Sequence, residues 1–305
     1  MPAFWMLFAS FAFALMGTCV KLASEQYSIA DIVCARGLVG VALLFLMARF
    51  SGRSLATNEP LSHLWRGLLG VLSLWLWFVA ITRLPLATAV TLNYMSPIWT
   101  ALALVGAAFR KGERRVAWPL VAAILVSFGG VVLVLRPAFG SGQWLGGLMA
   151  LASGMLAAVA YLMVRRLSRK GEPEYRVVFY FSLLNVAAGL LGMLVLPSSP
   201  PAHPAGWSGP ALLLGVGLTG TAGQLAMTRA YRLGRTLVVA NLQYSGIVFS
   251  SLLGGWIWGD AFHWTVWAGI AVILASCIAA GIIGRRTLDP GTLPSAAPKA
   301  AVSSS

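Results

Sequence analysis

Long stretches without a charged residue set what this chain can fold into. The clearest is residues 84–109, which hold 26 uncharged residues between Arg83 and Arg110. About 20 apolar residues are enough for a helix to cross the hydrocarbon core of a bilayer, whereas a barrel strand needs only about 10. Only 10% of the 305 residues are charged, against roughly 25% in soluble domains. The sequence therefore predicts an all-α integral membrane protein.

Charged residues and prolines divide the chain into further runs of this kind. We expect ten transmembrane helices, at residues 4–20, 32–48, 64–82, 84–109, 116–135, 144–164, 177–196, 211–228, 236–258 and 264–284. A Gly-Ser-Gly turn at residues 140–142 separates them into two groups of five. We therefore expect one half over residues 1–139 and another over 140–286. Residues 287–305 have no apolar face to bury and predict a disordered cytoplasmic tail.

Similar residues recur in the same order in the two halves. In the first half they are Thr82-Arg83, Asn93-Tyr94, Ser96, Ile98 and Gly112-Glu113, and in the second Thr228-Arg229, Asn241, Tyr244-Ser245, Ile247 and Gly259-Asp260. The spacings differ by two or three residues. Internal duplication of membrane helices is typical of transporters built from two halves.

Basic residues predict the orientation. With both termini in the cytoplasm, 18 of the 22 Lys and Arg residues lie in cytoplasmic segments, and Arg66 is counted among them. Since cytoplasmic loops carry an excess of basic residues, we expect a multi-pass protein of the cytoplasmic membrane with cytoplasmic termini. The net charge of +14 is then a topology signal, and we expect no nucleic-acid partner. The two halves are expected to insert with opposite orientation.

Polar side chains near the centres of predicted spans are candidate substrate-binding residues. At membrane depth such groups cost free energy unless they find partners or water. They either hydrogen-bond between helices or line a cavity. Their concentration in the repeated segments favours a cavity, with Trp77 as an aromatic wall. The candidate lining residues are Asn93, Tyr94, Gln224, Asn241 and Tyr244.

Arg36 is the strong cation within a predicted span. Its side chain can attract an anionic group of a substrate, pair with Glu25 or Asp31, or extend to the outer surface. Its position about a turn and a half from the end of the span favours a structural role. We keep Arg36 among the candidate binding residues as the possible anion contact.

Two segments resemble a known family. Residues 96–113, a proline-containing helix ending in Gly-Glu, are similar to the fourth-helix signature of EamA-type drug/metabolite transporters, and residues 242–260 are similar to its counterpart in the second repeat. The resemblance covers residues 4–284. It implies ten helices in two inverted five-helix repeats, alternating access, and an arginine early in the second helix, where Arg36 lies. The sequence departs from the family's pattern in both segments. The first has Phe-Arg-Lys before its Gly-Glu, where the family usually stays apolar. The second has Gly246 in the proline position and Asp260 in place of glutamate.

We therefore expect a secondary transporter for a small metabolite, such as an amino acid or a nucleoside-like compound. The alternative is a membrane enzyme acting on a lipid-linked substrate, which typically needs clustered Asp, Glu or His. Here eight acidic residues and three histidines are scattered singly. We expect no catalytic residue, metal or cofactor, and a small-molecule substrate and membrane lipids as partners. Since no predicted span has Asp, Glu or His at its centre, we expect no obligatory proton coupling.

Overall fold

The computed structural model describes residues 2–83, 92–110, 118–135, 144–195, 208–258 and 264–286. Within these ranges every regular element is a helix, and no strand occurs. The helices in chain order are α1 (Pro2–Ala23), α2 (Ile29–Phe50), α3 (Pro60–Arg83), α4 (Ser96–Arg110), α5 (Trp118–Leu135), α6 (Trp144–Arg169), α7 (Glu174–Val195), α8 (Ser208–Leu233), α9 (Thr236–Leu242), α10 (Ser245–Trp258) and α11 (Trp264–Arg286).

Ten apolar helical segments agree with the ten predicted spans. Seven are long and apolar enough to cross a membrane, and three shorter ones, Ser96–Ala107, Trp118–Leu133 and Trp264–Ala280, lie in the predicted fourth, fifth and tenth spans. The prediction of an all-helical membrane protein is confirmed at this level. The start of the fourth span, the turn at 140–142, the proline-rich segment 197–207 and the tail 287–305 lie outside the described residues.

Two predicted spans are interrupted by a turn at their polar residues. The ninth was expected as one helix, but Gln243 and Tyr244 form a turn between α9 and α10. In the fourth, residues 92–93 are helical, Tyr94 and Met95 form a turn, and α4 begins at Ser96. A turn frees backbone groups from helical bonding, which is tolerated at membrane depth only inside protein or beside a cavity.

Helices from the first and second halves of the chain pack on each other. α1 packs along α8, α3 along α6, α2 along α7 and α5 along α11. The largest buried apolar cluster includes Met6, Ile124, Tyr231, Ile247 and Ile273. Large apolar side chains also cover the outside, with Phe50, Leu194 and Trp256 each more than four-fifths exposed. An apolar outer surface is what lipid-facing helices require.

Two glycines allow α2 and α7 to approach closely. A Cβ atom at Gly37 would lie 2.6 Å from the backbone nitrogen of Val186, and one at Gly189 would lie 2.6 Å from the backbone nitrogen of Cys34. Small residues at such contacts let helix backbones pack directly on each other in membranes. Each helix thus contributes a glycine to the same contact.

One end of the bundle is held together by a set of polar contacts that we call the end network (Thr57, Glu59, His63, Lys170, Glu172 and Arg176). Glu172 accepts hydrogen bonds from Thr57 Oγ1 at 2.7 Å and Arg176 Nη1 at 3.0 Å, and its Oε2 lies 3.2 Å from His63 Nε2. Lys170 pairs with Glu59 at 2.5 Å. The network joins the α2–α3 connection to the α6–α7 turn.

Glu172 stays charged in this network. Burial acts to raise the pKa of its carboxyl, but the hydrogen bonds from Thr57 and Arg176 and the contact with His63 hold that pKa below its ordinary value. The stabilising contribution of Glu172 is therefore present at neutral pH and is lost only as the pH falls through this lowered pKa.

Replacing Gly189 with alanine tests the close approach of α2 and α7. The new methyl group would meet backbone atoms of Cys34 within 2.7 Å, so the helices must separate. We expect a loss of about 1–3 kcal/mol, measured as a lower thermal unfolding midpoint in detergent. The matched control is Gly17→Ala, where nothing lies within 4 Å of a new Cβ and alanine gains about 1 kcal/mol of helix propensity. Equal midpoints for the two variants would contradict the direct contact.

Candidate substrate-binding site

Two arginine side chains lie buried inside the bundle. Arg36 of α2 is 6% exposed and Arg66 of α3 is 2% exposed. Their guanidinium carbons lie 5.2 Å and 3.9 Å, respectively, from the centre of the same ring, that of Phe181 in α7. A cation near an aromatic ring is attracted by the ring quadrupole, more strongly where water is excluded. Phe181 therefore brings the two cations to one place, which we call the arginine pair.

Neutral amide oxygens hold the arginine pair. Arg36 Nη1 donates to Asn185 Oδ1 at 3.4 Å, and Arg66 Nη2 donates to Gln224 Oε1 at 3.1 Å. In the part of the chain that the structure describes, neither arginine forms an ion pair with a carboxylate. Arg36 Nε, Arg66 Nε and Arg66 Nη1 have no hydrogen-bond partner there. The two positive charges are thus oriented but not neutralised.

A narrow pocket lies beside the pair. Its lining residues come from α2, α7 and α8: Arg36, Val178, Phe181, Ser182, Asn185, Gly220, Thr221 and Gln224. A Cβ at Gly220 would lie 2.9 Å from Arg36 Nε, and one at Gly70 would lie 3.2 Å from Arg66 Nη1. The two glycines therefore give the guanidinium groups the space that they occupy. The pocket is tight in this conformation, so a ligand enters only if the surrounding helices move.

The structure places Arg36 away from Asp31 and away from the outer surface. Asp31 accepts hydrogen bonds from the backbone nitrogen and hydroxyl of Ser28, and in doing so caps α2. Arg36 does not pair with it, nor does it reach the outer surface, since its side chain is buried. Its contacts with Asn185 and Phe181 join α2 to α7, as a structural role requires, and contact with an anionic group of a substrate stays a prediction.

Sequence reasoning missed Arg66 and counted it as a residue of a cytoplasmic segment. That assignment is wrong because Arg66, although it falls near the start of the predicted span 64–82, lies in the second turn of α3 with a buried side chain. A face of polar and small residues on an otherwise apolar helix is the pattern that would have indicated Arg66. His63, Arg66, Gly70, Ser73 and Trp77 follow each other at spacings of three and four residues, which places them on one side of α3.

Tyrosines from both halves stack in two pairs. Tyr94 and Tyr244, both predicted site residues, lie with ring centres 6.4 Å apart, and Tyr161 and Tyr231 lie 5.7 Å apart. Gln243 Nε2 donates to the Tyr161 hydroxyl at 3.3 Å. The tyrosines therefore connect the turn between α9 and α10 with α6 and α8.

The other predicted site residues divide between the pocket and helix packing. Gln224 touches the arginine pair. Trp77 has a buried indole nitrogen without a partner among the described residues. Asn93 donates to Ser153 Oγ at 2.8 Å.

Asn241 is fully buried, and both the oxygen and the nitrogen of its side-chain amide are hydrogen-bonded. Its Oδ1 accepts from Ser127 Oγ at 2.9 Å, and its Nδ2 donates to the Ser276 carbonyl at 3.2 Å. These bonds join α9 to α5 and α11. Asn241 therefore has the contacts of a residue that packs helices together, the alternative that was weighed against cavity lining.

The comparisons with known proteins give the family. A family model described as the EamA-like transporter family matches residues 1–136 and 144–282. The chain belongs to this family. Among its curated relatives, the pseudopaline exporter CntI of Pseudomonas aeruginosa is 32% identical over 271 residues, which cover 89% of this chain and 92% of the exporter. The riboflavin transporter of Vibrio cholerae is 28% identical over 280 residues, 90% of each chain.

A solved crystal structure has the same fold. It superposes with a TM-score of 0.77 at 23% identity and covers 92% of this chain and 98% of the other. The family and the transporters among the relatives confirm the resemblance drawn from residues 96–113 and 242–260. This EamA-like protein is a multi-pass membrane transporter with a small-molecule substrate, and the alternative of a membrane enzyme is set aside.

Replacing Asn241 with alanine tests its packing role. The change removes two buried side-chain hydrogen bonds and leaves the Ser127 hydroxyl without its acceptor. An unsatisfied buried group costs about 1–3 kcal/mol, so we expect a clearly lower thermal unfolding midpoint. Asn93→Ala is the matched control, because Asn93 is half-buried and among the described residues its side chain has one such bond, to Ser153. A larger drop for Asn93→Ala than for Asn241→Ala would refute this assignment.

Proposed function

We propose that this EamA-like transporter carries a small metabolite across the cytoplasmic membrane by alternating access, with the arginine pair at the centre of its binding site. The observation that carries the proposal is the placement of two cations inside an apolar bundle. Arg36 lies about 10 Å along α2 from its start, and Arg66 about 9 Å along α3 from its start. Because successive spanning helices start at opposite faces, the two arginines enter from opposite ends of the bundle, and both side chains reach Phe181 in its interior, where transporter substrate sites also lie.

The two halves, residues 1–139 and 140–286, are in this proposal inverted five-helix repeats. If the halves are repeats, α1, α2, α3 and α5 correspond to α6, α7, α8 and α11. The contact of α1 with α8 then corresponds to that of α6 with α3. The pairs α2–α7 and α5–α11 each correspond to themselves. The interrupted helices correspond as well. Ile98 N donates to Met95 O at 2.9 Å where α4 begins, and Ile247 N donates to Tyr244 O at 3.0 Å where α10 begins. The two family matches, one in each half, support the same division.

Both ends of the bundle are candidates for gates. At one end, the end network joins the α2–α3 connection to the α6–α7 turn. At the other, Tyr27 in the α1–α2 turn packs on Gly209 at the start of α8, where a Cβ would lie 2.5 Å from the tyrosine oxygen. Exchange of the halves relates the two contacts. Alternating access then opens one contact while the other holds.

The orientation proposed here has both termini in the cytoplasm, which places the end network on the cytoplasmic side. Many basic residues flank that network. The excess of Lys and Arg on the cytoplasmic side stays large when Arg66 is counted as a buried residue of the bundle instead. The cytoplasmic-side residues that support it are Arg49, Arg53, Arg165, Arg166, Arg169 and Lys170.

Transport without obligatory proton coupling is also part of the proposal. Proton-driven transporters commonly use an acidic residue or histidine at membrane depth. The acidic residues in the described ranges lie in connections or in the first turn of a helix: Glu25, Asp31, Glu59, Glu172 and Glu174. Facilitated diffusion or exchange needs no such group.

The test is uptake into proteoliposomes against a panel of amino acids, nucleosides and organic acids. We expect saturable uptake of at least one compound, with counterflow when the lumen holds the same compound, and no loss of uptake when the pH gradient is dissipated. The control protein is Gly17→Ala, whose new methyl group would have no pocket residue within 4 Å. Uphill accumulation of a non-titrating compound that collapses with the pH gradient would contradict the coupling proposal, and absence of uptake across the panel would contradict the transport mechanism.

A further inference from the structure

We infer that the arginine pair binds a small anion with two carboxylate groups, so that the substrates of this transporter are dicarboxylates. The inference deepens the proposed function and rests on it for the transport step. Binding of the anion is a property of the arginine pair itself and does not depend on the proposed function.

The two positive charges of the arginine pair lack a counter-charge among the described residues. A buried ion costs several kcal/mol unless it is paired, and here two like charges lie against one phenyl ring. The carboxylates of the described residues are engaged elsewhere or exposed: Asp31 with Ser28, Glu59 with Lys170, Glu172 with Arg176, Glu174 with Arg232, and Glu25 at the exposed end of α1. A ligand with two negative charges neutralises both guanidinium groups.

The arginine pair also has buried N–H groups that donate to no described residue. Arg36 Nε, Arg66 Nε and Arg66 Nη1 are buried without partners, and each guanidinium group has five N–H donors in a planar fork. A carboxylate matches that fork with its two oxygens. Asn185 and Gln224 offer their oxygens to the arginines, so they orient the donors without competing for the ligand's oxygens.

The two guanidinium groups come from two different helices, and each has its own amide partner. Each can therefore take one carboxylate of the same ligand. An arginine fork also matches phosphate, which is why inorganic phosphate is a comparison compound in the test. Val178 and Phe181 supply an apolar surface at the pocket for the short carbon chain between the carboxylates.

The experiment measures the thermal unfolding midpoint of the purified protein in detergent with succinate, glutarate or L-glutamate. Propionate, succinamide and inorganic phosphate serve as comparisons, all at equal ionic strength because salt screens charge. We expect at least one diacid to raise the midpoint by several degrees in a saturable way, and the comparison compounds to leave it unchanged. An equal rise with propionate or phosphate would overturn the dicarboxylate assignment.

Variants of the two arginines test whether the diacid raises the midpoint by binding at the arginine pair. Arg36→Gln and Arg66→Gln should abolish the diacid shift while leaving the ligand-free midpoint equal to or above that of the unmodified protein, because removing one of two like charges relieves repulsion. A purely structural arginine would lower the ligand-free midpoint. Arg53→Gln, a change at an exposed residue of the α2–α3 connection, should keep the shift. A shift that survives in both pocket variants would overturn the inference.

The conservative variant Arg66→Lys covers the case in which the glutamine variants do not fold. It keeps the charge but loses the planar fork, so we expect succinate affinity to fall about tenfold or more. Unchanged affinity would refute the site. If no diacid shifts the midpoint while proteoliposomes take up another compound, this inference fails and the proposed function stands. If a diacid binds but nothing is transported, the binding site stands and alternating access fails.

Discussion

The buried charge of two guanidinium groups on the ring of Phe181 is the constraint on which the centre of this protein depends. Four helices are arranged to hold it: α2 and α3 supply the cations, α7 supplies the ring and Asn185, and α8 supplies Gln224. Neutral oxygens orient the cations but do not neutralise them. An apolar bundle tolerates such a site when function requires it, which is why ionisable groups in membranes are generally functional.

In the proposed alternating access, the same site is reached from either side of the membrane. The helices that hold the arginines belong to both halves, so a movement of one half against the other alters the pocket and both ends at once. The end network and the Tyr27–Gly209 contact lie at opposite ends, and the interrupted helices place the Tyr94–Tyr244 stack between the halves. Discontinuous helices of this kind occur at transporter binding sites because a turn exposes backbone groups to a cavity.

Much of the fold was predictable because backbone groups in lipid must bond within their own helix, so apolar length alone marks each span. The site was less so. An arginine near the start of a predicted span looks like part of the adjoining connection, so Arg66 was counted with the cytoplasmic segments although its side chain is buried in the bundle. The turn at Gln243–Tyr244 carries neither proline nor glycine. The role of Asn241 depends on Ser127 and Ser276, whose positions follow from tertiary packing and not from local pattern.

Accessibility of the pocket from each side tests the central claim most directly. The protein, with its three cysteines replaced, would carry Thr221→Cys in the pocket, and separate proteins would carry Ser24→Cys or Ser51→Cys at the exposed ends of α1 and α2 as markers of the two sides. A membrane-impermeant thiol reagent is added to one side at a time. We expect Ser24→Cys to react from outside, Ser51→Cys from the cytoplasm, and Thr221→Cys from both. Reaction of Thr221→Cys from one side alone, whatever the conditions, would contradict a central site reached by alternating access.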